Sequence, residues 1–209
     1  MCGIAGTIDL GRDVRGLAGL PERMARALSR RGPDAGGVYQ DAHALLVHRR
    51  LIVVDPAGGG QPMYDPEGNI ILIYNGELYN TEDIRRELAA LGHTFRGHSD
   101  TEVVLHAYLA WGTEAFQKFN GIYAFALWDK AARRLTLCRD RLGVKPLFYA
   151  RRGQMLTFGS EIKAILCHPD IPAQLDEDGL RSILLLGPAR PPESGVFHDI
   201  HSVLPGQYL

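Results

Sequence analysis

Cys2 is the residue whose type and place could do the most chemistry. Methionine in front of a small second residue is commonly removed, which would leave Cys2 at the amino terminus. A free α-amine has a pKa of about 7.7–8.0, so it accepts a proton near neutral pH as a side-chain base would. One residue then carries both the thiol nucleophile and its base. Two other readings stand beside this one. A cysteine is often just a small buried hydrophobe, and position two alone is weak evidence. A Cys–His hydrolase, with Cys2 paired to His48 or His98, would need no free amine.

Other chemistry is poorly represented. Gly58-Gly59-Gly60 lacks the lysine and spacing of a phosphate-binding loop. The eight histidines form no H-E-x-x-H pattern, and the three cysteines, Cys2, Cys138 and Cys167, form no C-x-x-C. No metal is therefore expected, and reduced thiols in a cytoplasmic setting are. A net charge of -1 gives no bulk case for nucleic acid or an anionic membrane. No cationic stretch followed by an apolar run marks a secretory signal, and no apolar run approaches bilayer length.

The elements that must position these groups are legible in outline. Residues 3–9 read as a strand, and Leu17, Leu20, Met24 and Leu28 recur at helical spacing. Residues 37–41 and 44–54 read as strands, and 56–68 as a loop. IILIYNG is a buried strand ending in Asn75-Gly76, a strong turn pair. Asn80 caps one helix that stops before Gly92, and Ser99-Asp100-Thr101-Glu102 is a capping box for a second. GIYAFALWD, apolar on both faces, is a central strand. RLTLCRDR, KPLFYA and MLTFGS are further strands. A short helix runs from Glu161 to His168 before Pro169, and Asp176 caps a helix that runs to Gly187. Strands and helices in this irregular order, in 209 residues with 45% hydrophobic content, predict one α+β domain, with sheets packed together and helices outside.

MCGIAG, RRGPD at 30–34, HRRL at 48–51, QPM at 61–63 and YNGELYN at 74–80 resemble the glutaminase domain of asparagine synthetases. SDTEVVLHAY, FNGIYAFALWD, RDRLGVKPLFY and FGSEIKAIL continue the resemblance in the family's order over nearly the whole chain. It implies an N-terminal-nucleophile hydrolase fold, an αββα sandwich of two antiparallel sheets between helical layers. It implies that Cys2 attacks the side-chain amide of L-glutamine, releases ammonia and forms a γ-glutamyl thioester that water cleaves. In that scheme the Asn75 side chain and the Gly76 backbone N–H form the oxyanion hole. Arg50 grips the α-carboxylate with a planar guanidinium, and Glu77 and Asp100 lie near the α-ammonium. An acid in the first turn of a helix, such as Asp100, also needs no ligand to explain it. Backbone groups of Leu51, Ile52, Val53 and Val54 line the same site. Ile52 departs from the family, which often has serine there. Arg141, Lys145 and Pro146 receive no chemistry and read as a turn or domain contact.

The resemblance also implies something beyond this stretch. Asparagine synthetases couple such a domain to an ATP-pyrophosphatase domain with an S-G-G-x-D-S loop, a pattern not found here. Residues 188–209 are therefore expected to begin the connection to that synthetase domain, where ATP and Mg would act. This domain itself is expected to need no cofactor. The expected partners are L-glutamine and the domain receiving the ammonia, with a homodimer left open. Two alternatives stay open: the same glutaminase serving a different carboxylate acceptor, and a scaffold that keeps the fold without hydrolysis.

Overall fold

A computed structural model of the chain describes residues 1–53, 55–187 and 193–209. Its strands are β1 (Gly3–Asp9), β2 (Ala35–Gln40), β3 (Ala44–Arg50), β4 (Met63–Tyr64), β5 (Ile70–Leu78), β6 (Gly121–Asp129), β7 (Arg134–Arg139), β8 (Phe148–Arg152), β9 (Met155–Gly159) and β10 (Ile200–Ser202). Its helices are α1 (Leu20–Ala27), α2 (Thr81–Ala90), α3 (Asp100–Trp111), α4 (Ala115–Lys118), α5 (Ile162–Ile165) and α6 (Glu177–Leu186). The strands form two antiparallel sheets, ordered β10-β8-β9-β1-β3-β2 and β4-β5-β6-β7.

Strand alternation explains the layers. On β5 and β6 one set of side chains, including Leu72, Tyr74, Tyr123 and Phe125, packs under α2 and α3. The opposite set, Ile71, Ile73, Ala124, Ala126 and Trp128, meets Ile4, Ile8, Ala44 and Leu46 of the other sheet. Beneath that sheet Ala5, Leu45 and Val47 receive Leu20, Met24 and Leu28 from the α1 side. Strands buried on both faces must be apolar along their buried length, which is why YAFALW of β6 and ALLV of β3 are. The result is the α-β-β-α sandwich expected from the sequence.

Several elements differ from expectation for identifiable reasons. β3 stops at Arg50, not at residue 54, because its neighbours begin or end there: Gly3 pairs with Arg49, and Ala35 pairs with Arg50. Asn75-Gly76 is not a turn. β5 runs through it to Leu78, with Asn75 opposite Ala124 and Gly76 opposite Tyr123. Asn80 gives no side-chain cap; it donates to Lys118 O at 2.9 Å and accepts from Asn120 N at 2.9 Å. The Ser99 half of the capping box forms, with Glu102 N donating to Ser99 Oγ at 3.3 Å. Glu102 instead accepts from Arg96 N at 2.8 Å and Gly97 N at 3.0 Å. Residues 188–192 of the expected connection lie outside the described residues. The rest of it returns to the sandwich, since β10 pairs with β8 and Leu209 exchanges backbone hydrogen bonds with Leu137.

Within the six-stranded sheet, Gly6 on β1 leaves room for the ring of Phe158 on the neighbouring β9. A Cβ on Gly6 would meet the Phe158 ring at 2.8 Å and press on the carbonyl of Leu45. Gly6→Ala should therefore cost about 2–3 kcal/mol by overpacking. Phe158→Leu in the same chain should recover little of it, because the Leu45 carbonyl is backbone. Urea unfolding of the single and double variants checks both.

Candidate active site

Parity places the chemistry. On β3, Ala44 and Leu46 face the sheet-to-sheet layer, so His48 and Arg50 face the same way. On β1, Ile4 and Ile8 do so, and Cys2 is in phase with them. Continuing the Gly3–Arg49 pairing by one residue sets Cys2 beside Arg50. On β5, Ile71 and Ile73 face this layer, and Asn75 follows them. One end of the interlayer thus gathers Cys2, Arg50 and Asn75 around a cavity of about 230 Å³. Cys2, Arg50, Leu51, Val53, Asn75, Gly76, Glu77 and Asp100 all line it. Ile52 does not; its N–H donates to Asp34 Oδ2 at 2.8 Å and its side chain is exposed. Val54 lies outside the described residues.

The free edge of β5 supplies donors. Tyr123 bonds Asp140 through both its N–H and its carbonyl, on the side of β6 away from β5. Its partner Gly76 therefore sits at a position where β5 sends its N–H away from β6. The neighbours of the same parity agree: Tyr74 N donates to Gln61 Oε1 at 2.6 Å and Leu78 N to Asp100 Oδ2 at 3.0 Å. Between them the Gly76 N–H points along the same edge, which borders the cavity, and meets no acceptor among the described residues. Asn75 is 1% exposed, and its Nδ2 likewise has no partner among the described residues. Two adjacent unclaimed donors suit an oxygen that gains negative charge. Glycine is needed at 76 because a Cβ there would lie 2.6 Å from both Ile122 O and Tyr123 Cβ.

Charges surround these donors. The Arg50 guanidinium donates to Asp55 O at 2.6 Å and Pro56 O at 3.1 Å, which fixes it against the loop after β3. Asp100 Oδ2 also accepts from the Tyr74 hydroxyl at 3.0 Å. Burial holds the Asp100 carboxyl above the usual carboxylate range, offset in part by the Leu78 and Tyr74 hydrogen bonds. Glu77 lies at the exposed rim.

The three thiols differ sharply. Cys2 Sγ lies 3.7 Å from Leu51 O in the cavity wall. Cys138 is buried under α3, which pushes its thiol up to about 12, and burial also raises Cys167. Neither histidine offered as a partner of Cys2 lines the cavity. His48 is buried with its Nε2 3.2 Å from Tyr74 O, and His98 contributes a backbone N–H to Asp55 at 2.8 Å. Among the described residues no group of three or more His, Cys, Asp or Glu could hold a metal ion, and no helix is long and apolar enough to cross a membrane.

The motifs left several lining residues unassigned: Met1, Gly59, Gln61, Tyr74, Ser99, Thr101 and Lys145. Tyr74 and Gln61 had a signal, since both stand in recognised blocks beside residues given roles. Lys145 stood in such a block too, but nothing in a linear motif shows where its long side chain ends.

Comparison with known proteins decides the family. The profile of the glutamine amidotransferase domain matches residues 1–209. The chain belongs to that family. This amidotransferase domain is 49% identical over 212 residues to asparagine synthetase [glutamine-hydrolyzing] 3 of Bacillus subtilis (strain 168), covering 100% of the chain and 34% of the relative. It is 36% identical over 168 residues to asparagine synthetase B [glutamine-hydrolyzing] of Escherichia coli (strain K12), covering 79% of the chain and 30% of the relative. The chain thus spans about a third of the length of these relatives. Its fold resembles that of glutamine phosphoribosylpyrophosphate amidotransferase from B. subtilis, with a TM-score of 0.64 at 18% identity over 79% of this chain and 43% of that one. A structure of the allosteric regulatory enzyme of purine biosynthesis gives 0.66 at 20% identity over the same shares.

His48 yields a test of the site's burial. Desolvation lowers its pKa from 6.5 to about 4 in the folded chain. Between those values the unfolded chain binds a proton that the folded chain refuses. Stability should therefore fall as pH drops from 6.5 to about 4, by about 3 kcal/mol from this residue. His48→Gln keeps a donor for Tyr74 O and should flatten that slope in urea melts taken at each pH.

Proposed function

We propose that this amidotransferase domain hydrolyses L-glutamine to L-glutamate and ammonia through a thioester on Cys2. The observation that carries the reading is the pair of unclaimed donors, Gly76 N–H and Asn75 Nδ2, in one cavity with the Cys2 thiol. Glutamine's charged end would be held by Arg50 on its carboxylate and by Asp100 and Glu77 on its ammonium, which sets the amide carbon near sulfur. The amine of a processed Cys2 would take the thiol proton as sulfur bonds to the amide carbon. The oxyanion forms against Asn75 and Gly76, and it collapses as the protonated amine passes its proton to departing ammonia. Water, deprotonated by the same amine, then cleaves the thioester and frees glutamate.

The relatives' names support asparagine as the product in the whole protein, with the ammonia meeting an aspartate carboxyl activated by ATP and Mg in a part beyond this stretch. A different acceptor carboxylate has no observation in its favour. Free thiols at all three cysteines fit a reducing, cytoplasmic setting.

Processing is the decisive experiment. Protein with mass-verified Cys2 at its terminus should release glutamate from glutamine, and protein retaining Met1 should be slower by about 10²–10⁴-fold, the usual worth of a positioned base. Equal rates would sink the amine mechanism. In the processed protein, Asn75→Ala should lower kcat by about 10²–10³-fold with KM changed far less, because the charge it meets exists only in the transition state. Steady-state kinetics checks this: a raised KM at constant kcat would make Asn75 a substrate-binding group instead.

A further inference from the structure

Lys145 is the charged residue of the cavity that amide hydrolysis, as derived above, leaves without a task. Its backbone is heavily secured. Asp140, fully buried, accepts N–H groups from Leu142 at 3.1 Å, Val144 at 3.0 Å and Lys145 at 2.9 Å. Arg139 donates Nε to Lys145 O at 2.8 Å and Nη2 to Gly143 O at 2.7 Å. The other guanidinium nitrogen of Arg139 ties this loop to Ser202 Oγ at 2.9 Å and Val203 O at 2.6 Å. Gly143 takes a φ of +65° that the turn requires. A loop pinned at this many points delivers one side chain to one place.

That place is beside the amino terminus. Lys145 is 8% exposed, and its Nζ donates to Met1 Sδ at 3.3 Å. A buried ammonium ordinarily has a carboxylate partner. Among the described residues none lies within ion-pairing distance of this one. Removal of Met1 takes away the thioether and exposes the Cys2 amine in the same cavity.

We propose that Lys145 is a positioning residue whose ammonium keeps the processed Cys2 amine neutral and ready to accept the thiol proton. A cation nearby disfavours a second positive charge on the amine and favours negative charge on the sulfur. The other charges facing the terminus do not cancel it. Arg31, which donates to Cys2 O at 3.5 Å, is itself paired with Glu161 at 2.8 Å. Arg50 and Asp100 are the groups assigned to the two ends of the substrate, and Glu77 stands in water at the rim. The Tyr74 hydroxyl is engaged with Asp100. The inference rests on the proposed amine mechanism.

The test is the pH profile of kcat/KM for glutamine hydrolysis by processed protein, compared among the unaltered chain, Lys145→Met and Lys145→Arg. The acid limb reports the amine, which works only when deprotonated. In Lys145→Met that limb should move up by about one pH unit, a tenfold loss on the acid side with a nearly unchanged alkaline plateau. Lys145→Arg should bring the limb back. An unmoved limb in folded Lys145→Met overturns the proposal, and so does a KM raised at every pH, which would make Lys145 a substrate grip. If Lys145→Met melts early, Lys145→Gln gives the same reading with a polar side chain. Equal activity of the unaltered chain with and without Met1 defeats the amine mechanism itself, a different result from an unmoved limb.

Discussion

Past Leu72, where β4 stops pairing, β5 has a strand on only one side. Every second N–H from there on must find an acceptor elsewhere, because an unpaired buried N–H costs about as much as a lost hydrogen bond. Gln61 answers Tyr74, and Asp100 answers Leu78. The one between them, on Gly76, is left facing the cavity. The same two acceptors tie neighbouring parts to the edge. Gln61 Nε2 reaches Thr101 Oγ1 at 3.3 Å, and Asp100 opens α3. The loop after β3, the edge of β5 and the start of α3 are therefore one hydrogen-bonded assembly. A donor fixed in such an assembly would need no rearrangement to meet a developing negative charge, as the proposed hydrolysis requires.

Asp100 joins the hydrogen bonding of the fold to the lining of the cavity. Its Oδ2 is occupied by Tyr74 and Leu78, so the fold determines where the carboxylate sits. Burial raises the cost of its charge, and two donors lower it again. A carboxylate held at that balance is more responsive to an incoming ammonium than one in bulk water, since little solvent must be displaced. The first-turn reading of Asp100 and the ligand reading are thus compatible. Ser99 does the capping, and Asp100 is turned toward β5.

The layers were legible because apolar periodicity reports burial directly, as in GIYAFALWD or the Leu20-Met24-Leu28 series. The residues that line the cavity, Cys2, Arg50, Asn75, Gly76 and Asp100 among them, were singled out by joint motifs. What failed was local chemistry overruled by long-range pairing. Asn-Gly is a turn signal only when nothing else claims the backbone, and here Ala124 and Tyr123 do. Residues 51–53 have strand-like side chains but no strand to meet, since β1 starts at Gly3 and β2 at Ala35. Lys145 was passed over because its importance lies in the reach of its side chain, which depends on the Asp140 and Arg139 clamp rather than on any neighbour in sequence.

The glycine run at 58–60 makes the same point from the opposite direction. In isolation it suggests an anion-binding loop, and the missing lysine only argues against that. The positive reason for the glycines is Arg50. Its guanidinium is held by the carbonyls of Asp55 and Pro56, so the chain just beyond must fold back over it. A side chain at Gly59 would collide with that guanidinium, and one at Gly58 with the Asp55 carboxylate. The Asp55 carboxylate in turn accepts from Gly58 N and His98 N, both at 2.8 Å, which fastens the loop to the residues leading into α3. A Cβ on Gly97 would lie 2.6 Å from that same carboxylate, so the opposing segment also lacks a side chain there. Gly60, with nothing within 4 Å of its would-be Cβ, is the member of the run that packing does not require. Small residues at 58, 59 and 97 are thus the steric condition for an arginine fixed through the backbone carbonyls of Asp55 and Pro56.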